Sequence, residues 1–439
     1  MEDFYKIVKA EAESMLPALR EIRRDLHAHP ETAWLEIRTT SIIVKRLKEL
    51  GYKVLNGTDV CKAEDRMGLP ADDVLEEAYQ RAIRQGADKV LAEQARGGFT
   101  GAIGFLDCGD GPVIALRFDI DALPLFEDKG PDHLAACEGF CSVNEGNMHA
   151  CGHDGHITIG LAVAELLMKH RSELKGKIKL IFQPAEEGVR GARSIVAHGH
   201  LDDVDYLIAN HMGHNGGNGY QIGLTYGSTL ATSKLDIFFQ GKPSHAGIIP
   251  EKGDNALLAA ATAVLNLHAI PRSSGGDTRI NVGTLHAGTG RNVICDRAKL
   301  EVEVRGATTE VNAYLVDYAE RIAKGSALMH GCSYTIKLQG SAESLQSHPD
   351  MVRYCEHIAK DKLGLNVTPP SNSAGASEDC AYMMNRVHSH GGKGIYFNTL
   401  SKGAGQFHGN KFDFDEDCMP AGISLFCAMV YSLMNEEQP

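Results

Sequence analysis

The stretch VIALRFDI, residues 113–120, decides the fold class. A near-continuous apolar run this short predicts a strand buried on both faces. Beyond it, ITIGLAVAELLMKH (157–170) predicts an apolar helix, and KIKLIFQP (177–184) predicts a second buried strand stopped by Pro184. A short helix near 191–198 leads to a third strand, YLIANHM (206–212). This repetition predicts an α/β domain with a mixed, largely parallel central sheet flanked by helices. Towards the N-terminus, ALREIRRDLHAHPE carries apolar residues at helical spacing up to Pro30, and TSIIVKRLKEL is a helix ending at Gly51. Residues 71–96 are charged and helical and end at Gly97-Gly98, which predicts a helical insertion between strands rather than core.

The pattern changes further on. KLDIFFQG, NALLAAATAVLNLHA, TRINVGTLHAG, KLEVEVRG, VNAYLVDYAERIAKGSALM and CSYTIKLQG read as strand, helix, strand, strand, helix, strand. That β-α-β-β-α-β order is the ferredoxin-like unit. After it, YCEHIAKDKLG, GIYFNTL and AGISLFCAMVYSLM resume the earlier style. The expectation is a discontinuous domain, 1–228 and 342–439, interrupted by a ferredoxin-like domain at 229–341.

Composition narrows the function. The chain has 439 residues, 43% hydrophobic and 23% charged, with a formal net charge of −13. Such an acidic chain is a poor partner for a phosphate backbone, so no nucleic acid is expected. No apolar run is expected to span a bilayer, and the charged N-terminus lacks the apolar core of a signal peptide. The 11 cysteines are scattered without a CxxC pair, which predicts reduced thiols and a cytoplasmic location.

The densest chemistry lies in NMHACGHDGH, residues 147–156, where His149, Cys151, His153, Asp154 and His156 crowd the start of a predicted helix. A single histidine there would be bland, but three with a cysteine favour metal ligation. QPAEEG places Glu186 and Glu187 just after a strand. Adjacent carboxylates can divide labour, one ligating a metal and one acting as general base. His211 ends the third strand, and His408 precedes the acidic run NKFDFDED. Cys151, His153, Glu187, His211 and His408 are too many ligands for one tetrahedral ion and suit two bridged ions. Asp119 and Asp121, in RFDIDALP, read as carboxylates supporting a ligating histidine. In the inserted domain, His245, Arg291, Asn292 and Arg305 read equally well as anion-binding groups or as solvated loop residues.

Taken in order, RRDLHAHPE, DIDALP, MHACGHDGH, LIFQPAEEG, NHM, SHAG, GRNVI and FHGNKFDFDED resemble the amidohydrolase branch of the aminoacylase/carboxypeptidase family of dinuclear metallohydrolases. The resemblance spans nearly the whole chain. It implies that Cys151 bridges two divalent ions, Mn²⁺ first and Zn²⁺ second, with His153, Glu187, His211 and His408 as the other ligands. It implies Glu186 as general base, Asp119 as a supporting carboxylate, His245 and Asn292 as lid residues reaching the substrate carbonyl, and Arg305 as a substrate-carboxylate binder. Many members carry a metal-binding histidine two residues before the aspartate matching Asp119; here that position is Arg117. The inserted domain is then a lid and dimerisation domain, giving a homodimer or a heterodimer with a homologous subunit. The implied reaction is amide hydrolysis of a small anionic N-acyl-glutamate, with p-aminobenzoyl-glutamate favoured. The alternatives are a broader N-acyl-amino-acid hydrolase or peptidase, and a catalytically silent partner in a heteromeric hydrolase.

Overall fold

The computed structural model describes residues 3–213, 218–227, 229–371, 376–436 and 439. Its backbone divides into two units: Met1–Gly227 with Gln346–Ser373 and Tyr382–Pro439, and Ser228–Leu345 with Ala374–Ala381. The boundary expected at residue 228 falls on Ser228, which lies outside the described residues.

The strands of the first unit begin with β1 (Lys53–Asn56), β2 (Ala102–Asp107), β3 (Val113–Asp119), β4 (Lys177–Gln183), β5 (Tyr206–Gly213) and β6 (Ile222–Leu224). The second unit supplies β7 (Ala231–Gln240), β8 (Thr278–Ala287), β9 (Arg297–Gly306) and β10 (Ser333–Ala342), and β11 (Lys393–Leu400) returns to the first. The first unit's sheet has the order β1-β2-β4-β3-β5-β11-β6. Its centre is parallel: β4 with β3, β3 with β5, and β5 with β11. Its margins are antiparallel, with β1 on β2, β2 on β4, and β6 on β11. This is the mixed, largely parallel sheet that the buried apolar runs predict. The marginal strands β1 and β6 escape a reading by pattern, because KVLN and IGL are too short to show a period.

The helix His153–Lys169 is buried along most of its length and packs on strands β3 and β4 at Gly160. A Cβ at Gly160 would lie 2.7 Å from the Phe182 ring and 2.8 Å from Phe118. Gly160→Val is therefore expected to overpack this contact and cost about 1–3 kcal/mol. A melting midpoint equal to the parent's would contradict it.

The C-terminal segment corrects the expectation that no run is apolar and long enough for a membrane. Glu416–Asn435 passes that test with a mean hydropathy of 1.4, but 78% of it is buried inside the fold. The helix Met419–Asn435 packs on the helices Phe4–Ser14 and His153–Lys169. A helix covered on all sides is apolar all round.

In the second unit the order is β10-β7-β9-β8, all antiparallel. The helices Ala256–His268 and Thr309–Met329 share an apolar core with it that includes Leu235, Ile237, Leu300, Ala260 and Leu315. The helices Asp72–Arg84 and Lys89–Gln94 form the predicted insertion between β1 and β2. They hold a small apolar cluster of their own with Leu35 and Ile37.

Candidate metal centre

Because β3, β4 and β5 run parallel, their C-terminal ends share one edge of the sheet, where α/β folds place their ligands. Asp119 ends β3, Glu186 and Glu187 follow β4, and His211 lies near the end of β5. Cys151 and His153 flank Gly152, whose φ of 90° turns the chain into the helix His153–Lys169. His408, itself at φ 61°, follows β11, and its N–H donates to the Ala150 carbonyl at 2.8 Å.

These placements bring the five predicted ligands together. Cys151, His153 and His211 form one group, and Cys151, Glu187 and His408 another, with the donor atoms of each group within 4.8 Å. The shared member is Cys151. Its Sγ lies 3.4 Å from His211 Nε2, and His408 Nε2 lies 3.5 Å from Glu187 Oε1. Glu186 joins His153 and Glu187 in a third group.

The hydrogen bonds set the imidazole tautomers. His153 Nδ1 lies 2.8 Å from the Asp121 carbonyl, and His211 Nδ1 lies 2.7 Å from the Met212 carbonyl. A carbonyl only accepts, so each Nδ1 carries hydrogen and each Nε2 is left to face a cation. The buried His153 Nε2 has no hydrogen-bond partner among the described residues. His156 differs: its Nε2 accepts the Met212 N–H at 2.8 Å, so its Nδ1–H donates to Asp119. With both nitrogens engaged, His156 is a supporting residue and not a donor to an ion.

Arg117 is fully buried; its guanidinium forms an ion pair with Asp119 Oδ2 at 2.7 Å and donates to Gln183 Oε1 at 2.8 Å. Burial alone would raise the Asp119 carboxyl, but Arg117, His153 and His156 hold it well below the usual carboxylate range. Burial, with the His156 ring, pushes His211 down to about 3. Burial of the sulfur and the Glu187 carboxylate push the Cys151 thiol well up. A thiolate there needs a cation beside it, which a divalent metal provides.

Glu186 and Glu187 hang on a tightly held loop. Asp121 accepts the Glu186 N–H at 3.0 Å and the Glu187 N–H at 2.9 Å through its two oxygens. Glu36 accepts the preceding Ala185 N–H at 2.8 Å and the Thr100 hydroxyl at 2.6 Å. Ala185 has φ 54°, a left-handed conformation that costs a non-glycine residue about 1–3 kcal/mol. The pattern of residue types reveals Asp121 but assigns its carboxylate to a histidine. It gives no sign of Glu36, a lone carboxylate ahead of a helix.

Burial, with the Asp121 charge, pushes the Glu36 carboxyl from 4.5 up to about 8. The folded state then holds a proton that the unfolded chain releases, so Glu36 costs stability progressively as pH rises from 4.5 to about 8. Glu36→Gln, neutral throughout, is expected to gain melting temperature relative to the parent across that window. A difference that stays flat with pH would contradict the assignment.

Other groups carry a different load. His149 is buried, and burial holds it down to about 3. His27, Glu127 and His133 also converge, but His27 Nε2 and His133 Nε2 bond Glu127 Oε1 at 2.9 and 2.8 Å. The first of these bonds ties the segment 127–133 to the helix Leu16–Ala28, and the second closes the segment on itself.

His245, Asn292 and Arg305 belong to the second unit. The Ala246 N–H donates to the Asn292 carbonyl at 3.0 Å, so the His245 and Asn292 loops are paired. His245 Nδ1 accepts the Gly247 N–H at 3.1 Å, which leaves its Nε2–H as a donor. Arg305, on β9, is engaged by Glu303 at 3.1 Å.

The fold and this donor set, three histidines, a cysteine and a glutamate beside a second glutamate, define a metal-dependent hydrolase. Residues 115–432 match the model of peptidase family M20/M25/M40, and the chain belongs to this family. It is 44% identical to indole-3-acetyl-aspartic acid hydrolase of Enterobacter agglomerans, over 93% of this chain and 94% of that one. It is 43% identical to a p-aminobenzoyl-glutamate hydrolase subunit of Escherichia coli K12, with the same coverage. The aminobenzoyl-glutamate utilization protein of Klebsiella pneumoniae superposes with a TM-score of 0.84 at 36% identity, covering 98% of this chain and 100% of that one. The YXEP protein of Bacillus subtilis, a dinuclear metal binding peptidase, superposes with a TM-score of 0.66 at 26% identity, covering 97% and 99%. The chain is a hydrolase of this family, and two divalent ions fit its paired ligand groups.

Proposed function

We propose that this chain hydrolyses the amide bond of N-acyl acidic amino acids, with p-aminobenzoyl-glutamate as favoured substrate and p-aminobenzoate and glutamate as products. The observation that carries the reading is the pair of ligand groups sharing Cys151, with Glu186 alongside. The relatives add the substrate class, since both names describe an aromatic acyl group joined to an acidic amino acid.

Cys151, His153 and His211 would hold one ion, and Cys151, Glu187 and His408 the other. Bound there, the ions supply Lewis acidity and bring the pKa of water towards about 7. Glu186 takes the proton of the attacking water as its oxygen bonds to the amide carbon. It then delivers that proton to the departing nitrogen as the C–N bond breaks. From the same chain or across a dimer interface, His245 would offer Nε2–H to the developing oxyanion, Asn292 would help place the carbonyl, and Arg305 would receive a substrate carboxylate. Arg305 must exchange Glu303 for that carboxylate, because the pair already meets. Local cations of this kind also offset the formal charge of −13, which repels an anionic substrate.

Mn²⁺ is the first choice of metal and Zn²⁺ the second; the imidazoles and thiolate accept zinc, while the carboxylate allows manganese. The 11 free thiols support a reducing, cytoplasmic setting. The Escherichia coli relative is named as one subunit of its hydrolase, which supports a heterodimer with a homologous chain beside the homodimer alternative. A panel of p-aminobenzoyl-glutamate, indole-3-acetyl-aspartate, N-acetylated neutral amino acids and dipeptides tests the substrate class. The acidic conjugates are expected to lead in kcat/KM; preference for neutral substrates would overturn the class. A lead for indole-3-acetyl-aspartate would instead make that conjugate, the one in the Enterobacter relative's name, the preferred substrate.

A further inference from the structure

We propose that Glu36 is a positioning residue for Glu186, acting through the backbone of Ala185; this rests on the reading of Glu186 as general base. Three successive N–H groups, of Ala185, Glu186 and Glu187, are taken by the carboxyl oxygens of two buried side chains, Glu36 and Asp121. Asp121 holds the second and third. Glu36, immediately before the helix Ile37–Leu50, holds the first. Successive N–H groups captured this way fix the peptide planes on both sides of Ala185 and Glu186.

The loop needs such a hold. Ala185 and Val189 both have left-handed φ, at 54° and 59°, without being glycine. The Ala185 carbonyl accepts N–H bonds from Arg190 at 3.1 Å and Gly191 at 2.8 Å, so Glu36 supplies a further anchor at the same residue. Glu36 is itself fully buried and braced by the Thr100 hydroxyl. With this anchor lost, Ala185 can relax towards an ordinary φ and rotate the following peptide. Asp121 still holds both the Glu186 and the Glu187 N–H, but the Glu187 side chain would also be fixed by the ion it ligates, so the displacement falls on the Glu186 carboxylate. A misplacement of about 1 Å at a reacting group costs about 10²-fold in rate.

The test compares the metal-loaded parent with Glu36→Ala, Glu36→Gln, Glu186→Gln and the double variant Glu36→Ala/Glu186→Gln. Metal content, melting midpoint, kcat and KM are measured on each. Glu36→Ala is expected to keep two ions and lower kcat about 10²-fold, with KM within about twofold of the parent. Glu36→Gln keeps an acceptor for the Ala185 N–H and is expected to recover most of that loss. The double variant is expected to be no slower than Glu186→Gln alone, because Glu36 acts only through the base. Losses that multiply in the double variant, a parental kcat in Glu36→Ala, or loss of an ion from it would each overturn the proposal. If Glu36→Ala does not fold, Thr100→Val takes its place and must lower kcat about tenfold with both ions kept; a parental kcat there overturns it equally. Parental turnover by Glu186→Gln alone would instead overturn the reading of the base.

Discussion

Glu186→Gln is expected to lower kcat by about 10²–10⁴-fold while two ions remain bound. The amide keeps the size and polarity of the side chain but has no basic oxygen to take a proton from water. The backbone N–H of residue 186 still donates to Asp121, so the loop keeps its form. Neither ligand group that shares Cys151 includes Glu186, which is why metal content should hold. Metal analysis beside steady-state kinetics separates this role from ligation. A variant that loses an ion would make Glu186 a ligand, and parental kcat would remove it from the chemistry.

Cys151→Ala is expected to have the second large effect. Cys151 is common to both ligand groups, so its loss weakens both at once. Outer partners of a metal site already cost about 10–100-fold in affinity or activity, and a shared ligand should cost more. The variant should bind fewer than two ions at metal concentrations that saturate the parent, with turnover falling in step. His211→Ala, which belongs to only one of these two groups, should release one ion and spare the other. Equal metal content in Cys151→Ala and the parent would contradict the shared role.

Much of this was legible in the sequence, and the limits have physical causes. VIALRFDI and KIKLIFQP announce strands buried on both faces, and β3 and β4 are buried along nearly their whole length at the centre of the sheet. The crowding of His149, Cys151, His153 and His156 announces a site, but not which nitrogens face it. That choice is made by carbonyls of Asp121 and Met212 and by the Met212 N–H, none of which has a signature in residue type. Glu36 is silent for the same reason: its partners, Ala185 N–H and Thr100, are distant in sequence. The apolar helix near the C-terminus could be judged only with its covering helices in view.

The most direct test is to strip the purified chain of metal, reload it with Mn²⁺ or Zn²⁺, and follow ions bound per chain together with p-aminobenzoate released from p-aminobenzoyl-glutamate. The account predicts no turnover without metal, two ions at saturation, and turnover that rises as the sites fill. Fewer than one ion per chain after loading, or undiminished turnover after chelation, would contradict it.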